Sequence, residues 1–137
     1  MTMVLSSAAF GRDHSEFNGT WTLVPAQSKF EGQPVVQTGT VTISEDRNVT
    51  VVTRSFVYEG ATETFFYNDS AGSQYGGTIH DGKDLKSKIK WDGDVLKVTT
   101  TRSGAVTVES YALVDGGMTV NVERPEHKSI TLVFLRK

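Results

Sequence analysis

The 137-residue chain contains no cysteine, which excludes disulfides, thiol catalysis and cysteine-ligated metal sites. It also has no apolar run near the ~18 residues that a membrane-spanning helix needs. The formal net charge is only −2, so the balance of charge indicates neither nucleic acid nor an anionic membrane as a partner. One domain of this size can bury a sizeable hydrophobic core without disulfide bonds. These absences leave a small domain whose compartment the composition does not assign.

Histidine is scarce, and its placement argues against a metal site. His14, His80 and His127 are far apart in sequence and lie in predicted loops or ends. Metal sites need converging ligands at recognisable spacing, and no such pattern is present. No nucleophile-elbow motif supports a Ser-His-Asp arrangement either. We therefore predict no metal and no cofactor, and we assign no catalytic residue apart from the candidate discussed below.

The N-terminal residues show no regular period. Met1 to Phe10 are mildly apolar, but no basic segment precedes them and no signal peptide is visible. We expect residues 1–14 to form a flexible arm and residues 15–137 to form one β-domain.

The most informative stretch runs from Leu85 to Val122 and predicts four strands. Three two-residue turns join them, and such pairs between alternating runs are strong hairpin signals. Because opposed residues of a hairpin share a face, the turns give all four strands one apolar face. The turns are Asp92-Gly93, which would pair Trp91 with Asp94, Ser103-Gly104 and Asp115-Gly116. The residues predicted on this face are Leu85, Ser87, Ile89, Trp91, Asp94, Leu96, Val98, Thr100, Thr107, Glu109, Tyr111, Leu113, Met118, Val120 and Val122.

The rest of the chain also predicts strands and no helix of ordinary length. Alternation does not say which face of residues 49–58 and 61–68 points inward. Eight to ten short strands in all are typical of a barrel or a sandwich. The further predicted elements are strands at 17–24, 38–44, 49–58, 61–68, 78–80 and 129–136, a connection at 25–36 and a Gly/Ser-rich loop at 69–77.

Several short motifs resemble those of the calycins. Residues 17–23 resemble the first-strand Gly-x-Trp signature of lipocalins and fatty-acid-binding proteins. Residues 90–96 resemble a segment found in many fatty-acid-binding proteins and in small secreted bacterial lipocalin-like proteins of unassigned function. The bacterial group is also similar at Ser28-Lys29-Phe30 and at the late turn Asp115-Gly116. The resemblance extends over residues 17–137.

This resemblance implies a single antiparallel up-and-down β-barrel of 8–10 strands around a cavity open at one end. It also implies a periplasmic or secreted location and a stacking role for Arg136 over Trp21. Two features depart from the fatty-acid-binding proteins. The connection at 25–36 is too short for their helix-turn-helix lid. Leu132 and Phe134 stand where those proteins carry the Arg-x-Tyr pair that grips a ligand carboxylate.

Glu109 is the main candidate for chemistry, because the hairpin register places it on the apolar face opposite Val98 and Val122. A buried carboxylate there would serve as a ligand anchor or a general base. Alternatively, a bulge shifts the register, or an arginine satisfies a purely structural carboxylate. Arg54 lies on the aromatic face of the second hairpin with Glu63, and it is the best candidate counter-ion if that face is inside.

The leading functional hypothesis is a binding module for a small hydrophobic molecule. One alternative is an isomerase- or cyclase-type enzyme that uses Glu109 for proton transfer. Another is a barrel that binds nothing small and acts through its outer surface or as a homodimer. The predicted ligand-binding residues are Arg54, Trp91, Leu96, Val98, Glu109, Tyr111, Val120, Leu132 and Phe134.

Overall fold

The computed structural model describes residues 14–46, 49–70, 73–78, 85–102 and 104–137. Within these ranges the chain forms ten strands and two short 3₁₀ turns, at Ser15–Phe17 and Pro25–Gln27. None of its helical turns is long or apolar enough to cross a membrane. The strands are β1 (Gly19–Leu23), β2 (Val36–Asp46), β3 (Val49–Tyr58), β4 (Ala61–Ser70), β5 (Ser73–Thr78), β6 (Leu85–Asp92), β7 (Val95–Arg102), β8 (Ala105–Val114), β9 (Gly117–Glu123) and β10 (Ile130–Arg136).

The strands make one antiparallel sheet in the order β5-β4-β3-β2-β1-β10-β9-β8-β7-β6. Each strand pairs with its neighbour in sequence, except that β10 returns to pair with β1 and no ladder joins β5 to β6 in the described ranges. The two ends of the order come together, since β4 and β5 both lie beside β6. The sheet therefore curls into the predicted all-β, up-and-down barrel.

Most of the predicted hairpin register is confirmed. Tyr58 pairs with Ala61, Arg102 with Ala105, and Val114 with Gly117. The first organising turn was placed wrongly by one residue: Trp91 pairs with Leu96 rather than with Asp94. The turn is Gly93-Asp94, and Gly93 takes a φ of 62°, as the first central residue of a type II′ turn requires. The shift moves each partner by two residues, so the paired residues keep their faces. The prediction that Asp94 lies on the inward face is wrong, because Asp94 is exposed in the turn.

The prediction of a loop at 69–77 is wrong. β4 continues to Ser70, and β5 begins at Ser73 and pairs with it as far as Thr78↔Phe65. Glycine and serine indicated a loop, yet backbone hydrogen bonds to a neighbouring strand are enough to hold such residues in a ladder. Of the strand predicted at 78–80, Thr78 belongs to β5, and residues 79 and 80 lie outside the described ranges.

One end of the barrel is closed by the segment that precedes β1. Phe17 was predicted to start the first strand, but it lies in the 3₁₀ turn, is buried, and packs edge-on against Trp91 with ring centroids 5.0 Å apart. Its carbonyl accepts a hydrogen bond of 2.9 Å from Nε1 of Trp21. His14 stacks on Trp91, with ring centroids 3.7 Å apart. Of the predicted arm, only His14 lies within the described residues.

Arg136 completes this closure in the way that the resemblance implied. Its guanidinium lies 4.2 Å from the Trp21 ring centroid. Its Nη1 and Nη2 atoms donate hydrogen bonds to the carbonyls of Asn18 and Glu16, at 2.6 and 2.7 Å. The last strand is thereby tied to the first turn, and the predicted stacking of a late basic residue on the first-strand tryptophan is confirmed.

At the opposite end the described residues form no helical lid, and we call it the lidless end. The connection from β1 to β2 contains one 3₁₀ turn, Pro25–Gln27, and otherwise runs as irregular chain. Lys29 forms an isolated bridge with Thr131, which holds this connection against β10. The prediction that residues 25–36 are too short for a helix-turn-helix is confirmed.

Candidate functional site

A cavity of about 210 Å³ lies at the end without a lid. Its walls come from the halves of β3, β4, β7, β8, β9 and β10 nearer that end and from Arg124 in the β9–β10 connection. The lining residues are Arg54, Phe56, Tyr58, Glu63, Phe65, Thr100, Ala105, Thr107, Glu109, Val122, Arg124 and Ile130.

A buried ion pair forms the centre of the cavity wall. Nη2 of Arg54 lies 2.6 Å from Oε2 of Glu109, and the two residues are 5% and 2% exposed. The hydroxyl of Tyr111 donates a hydrogen bond of 2.8 Å to Oε1 of the same carboxylate. Both oxygens of Glu109 are therefore engaged by protein donors, which offsets the cost of burying the charge.

Aromatic rings surround the guanidinium of Arg54. Its central carbon lies 4.4 Å from the centroid of Phe56, two residues along β3, and 4.5 Å from that of Phe65. Phe65 is the direct partner of Arg54 in the β3–β4 ladder, so the register itself creates this contact. Glu63 adds a weaker charge contact, with Oε1 3.9 Å from Nη1 of Arg54. The partners of this cation thus include one close carboxylate, one distant carboxylate and two rings.

Tyr58 adds a hydroxyl to the cavity wall. Burial raises the pKa of its phenol above the ordinary value of 10.0, and the carboxylates of Glu63 and Glu109 act in the same direction. The guanidinium groups of Arg54 and Arg124 oppose this rise in pKa without cancelling it. The phenol is therefore a neutral hydrogen-bonding group at any physiological pH.

Side-chain contacts at the mouth tie two connections together. Arg124, in the β9–β10 connection, donates from Nη2 to the amide oxygen of Gln33, and Nε2 of Gln33 donates to the carbonyl of Lys128 at 2.6 Å. Gln33 belongs to the β1–β2 connection, so these bonds join it to the β9–β10 connection.

The hydroxyl of Thr100, a lining residue, lies 3.2 Å from the hydroxyl of Ser87, and the two form a buried hydrogen bond.

The structure divides the predicted ligand-binding residues into two groups. Arg54 and Glu109 meet and line the cavity. The other seven do not line it and belong to the packed core. Six of them are at most 1% exposed. The seventh, Trp91, is partly buried and donates a hydrogen bond from Nε1 to Oγ1 of Thr50. Tyr111 contacts the site through its bond to Glu109, and Phe134 stacks on the lining residue Phe56 with ring centroids 6.1 Å apart. These seven are Trp91, Leu96, Val98, Tyr111, Val120, Leu132 and Phe134, and a ligand contact for them stays a prediction.

Several lining residues were not selected from the sequence. Phe56, Tyr58 and Phe65 shared a predicted face with Arg54, but alternation could not show that this face was inside. Thr107 and Val122 were predicted to point inward without being assigned to a site. Arg124 lies in a connection, and no periodic signal could have identified it.

No family model matches the chain, and no curated protein matches its sequence. Solved structures match its fold. The fluorescent protein UnaG aligns with a TM-score of 0.68 at 18% identity, over 90% of this chain and 98% of that one. The REP1-NXSQ fatty acid transporter gives 0.67 at 20% identity, over 90% and 97%. A Schistosoma mansoni fatty acid binding protein in complex with arachidonic acid gives 0.68 at 17% identity, over 92% and 99%. The fold is therefore the calycin-like barrel of the fatty-acid-binding proteins, as predicted.

Proposed function

We propose that this barrel binds a small, largely apolar molecule in the cavity at its lidless end. The observation that carries the proposal is the cavity of about 210 Å³, whose wall combines aromatic and aliphatic side chains with the buried Arg54–Glu109 pair. Ligand sites in proteins have this composition, with mostly apolar walls and a few fixed polar groups. Support also comes from the fold, because one structural neighbour is a fatty acid transporter and another was solved with arachidonic acid.

The size of the cavity limits the ligand. Sites for drug-sized ligands commonly measure about 300–1,000 Å³, whereas this cavity measures about 210 Å³. The volume suits a short chain or a single small ring, and a longer molecule would have to leave part of itself in the mouth. The site does not continue from Ile130 along β10 toward the closed end, because Leu132 and Phe134 are 1% and 0% exposed in the packed core.

The contacts of Glu109 support binding over proton transfer. A general base needs an oxygen directed at the proton that it removes, within about 2.6–3.2 Å. In Glu109, Oε1 accepts from Tyr111 and Oε2 is held by Arg54. Proton transfer to either oxygen would weaken a buried contact that the fold supplies, so we assign Glu109 a structural and orienting role.

A cavity-filling substitution tests the proposed site. Val122 lines the cavity and is 9% exposed, so the larger ring in Val122→Phe should occupy space that a ligand needs. We expect the affinity for octanol, followed by amide chemical shifts, to fall by about tenfold or more, or ~1.4 kcal/mol. Val114→Phe is the matched control, because Val114 is 47% exposed near the closed end.

The outcomes separate the candidate functions. Saturable octanol binding that Val122→Phe weakens and Val114→Phe does not would support the site. Unchanged affinity in a folded Val122→Phe protein would show that octanol binds elsewhere. Absence of saturable shifts in the wild-type protein would favour a barrel that acts through its outer surface.

A further inference from the structure

The charges that the described residues contribute to the cavity wall balance each other. Within the part of the chain that the structure describes, two cations, Arg54 and Arg124, and two anions, Glu63 and Glu109, line the cavity, so their formal sum is zero. The balance is local as well as formal, because the most deeply buried cation and anion lie only 2.6 Å apart. A charged ligand would therefore enter a site that offers it no net counter-charge.

Arg54 is already committed to partners of this chain. Glu109 holds one edge of its guanidinium, and Phe56 and Phe65 lie against it at 4.4 and 4.5 Å. A ligand carboxylate could bind Arg54 closely only by displacing Glu109, which would leave that carboxylate buried with Tyr111 as a donor. Leaving a buried charge without its partner is costly, so an acid gains little from this arginine.

A ligand ammonium meets the complementary obstacle. It would have to compete with Arg54 for Glu109, or approach Glu63, whose side chain is 30% exposed and already within 3.9 Å of Arg54. The second cation, Arg124, is bound to the amide oxygen of Gln33 at the mouth. Among the described lining residues, the groups that remain suited to a ligand are neutral hydroxyls, those of Tyr58 and Thr107.

We propose that the cavity selects uncharged amphipathic ligands, such as a medium-chain alcohol, over carboxylates and amines of equal length, and that Glu109 sets this preference by neutralising Arg54. This inference rests on the proposed function, because it names the ligand class of the same cavity. The neutral head group would meet the wall hydroxyls, and the chain would lie against the aromatic and aliphatic side chains.

Three probes of equal chain length test the preference in the wild-type protein: octanol, octanoate and octylammonium. Titrations followed by amide chemical shifts at neutral pH give each affinity directly. We expect octanol to bind about tenfold or more tightly than either ion. Octanoate or octylammonium binding as tightly as octanol would overturn the selectivity while leaving cavity binding intact. No binding of any probe would overturn the proposed function itself.

Glu109→Gln tests the residue that sets the preference. Glutamine keeps an acceptor for Tyr111 but leaves the charge of Arg54 without its close carboxylate. We expect the ratio of octanoate affinity to octanol affinity to rise by about tenfold or more. Glu123→Gln removes one negative charge from the exposed end of β9 and should leave the ratio unchanged.

A double variant, Arg54→Met with Glu109→Gln, separates charge from shape. It removes the arginine as well, so the ratio should not rise as it does in Glu109→Gln alone. An unchanged ratio in Glu109→Gln, or an equal rise in the double variant, would overturn the role of Glu109. If Glu109→Gln does not fold, the double variant and the wild-type titrations test the inference. A rise in the octanoate-to-octanol ratio in the double variant, or a wild-type preference for octanoate, overturns it. No rise in the double variant together with a wild-type preference for octanol supports it.

Discussion

Removing Arg54 should destabilise the barrel far more than removing a surface cation. Arg54 and Glu109 are 5% and 2% exposed, and their charged atoms lie 2.6 Å apart. Arg54→Met keeps most of the aliphatic stem but leaves the carboxylate buried without its cation. Breaking a buried pair in this way costs about 3–5 kcal/mol. We expect the free energy of unfolding to fall by that amount.

Two variants show that the charge causes the loss. Arg54→Met combined with Glu109→Gln leaves no buried charge in the pair, and replacing both partners of a buried pair is often close to neutral. We expect the double variant to recover most of the stability that the single variant loses. Lys97→Met breaks a pair of 3.4 Å with Asp92 whose side chains are 42% and 64% exposed. Solvent screens such a pair, so that loss should stay below about 1 kcal/mol.

Urea unfolding followed by tryptophan fluorescence measures all three values, because Trp21 is buried and Trp91 is partly buried. A loss below about 1 kcal/mol for Arg54→Met would refute the buried ion pair. A double variant as unstable as the single one would also refute the reasoning, because it would assign the loss to packing and not to charge.

Two further predictions concern the cavity wall and the β9–β10 contact. Because burial raises the pKa of Tyr58 above 10.0, the folded protein holds that proton more tightly than the unfolded chain. The contribution of Tyr58 to the free energy of unfolding should therefore be fully present below pH 10.0 and be lost as the pH rises through the raised pKa. In urea titrations at alkaline pH, Tyr58→Phe should lose less stability with rising pH than the wild-type protein. An equal loss in both proteins would contradict the assignment. A Cβ at Gly117 would lie 2.6 Å from the carbonyl oxygen of Phe134, so Gly117→Ala should cost about 1–3 kcal/mol, and unchanged urea stability would contradict this close approach.

The hairpin region could be predicted from sequence because turn residues and alternation constrain each other. Glu109 lies opposite Val98 and Val122, as the Ser103-Gly104 and Asp115-Gly116 turns required. Its inward position and its pairing with Arg54 are confirmed by the buried contact of 2.6 Å. The first turn lies one residue later than predicted, so each residue of β6 pairs with a residue two positions further along β7. A change of two residues keeps paired side chains on the same face.

The location of the cavity could not be predicted in the same way. In residues 49–58 both faces carry apolar side chains, so the period does not distinguish the face of Arg54 and Phe56 from that of Val51 and Val57. Whether an inward residue borders a void depends on the sizes of its neighbours across the barrel, and pattern alone contains no such information. Leu96 therefore looked like a cavity residue, although it is 0% exposed in the packed core.

The most direct test of the ligand site is a set of intermolecular nuclear Overhauser effects between octanol and the side chains of the folded protein. We expect contacts from the octanol chain to Phe65, Val122 and Ile130, which line the cavity at the lidless end. Saturable binding with contacts only to closed-end core residues such as Trp21 and Ile43, or to the outer surface, would contradict a ligand site in this cavity.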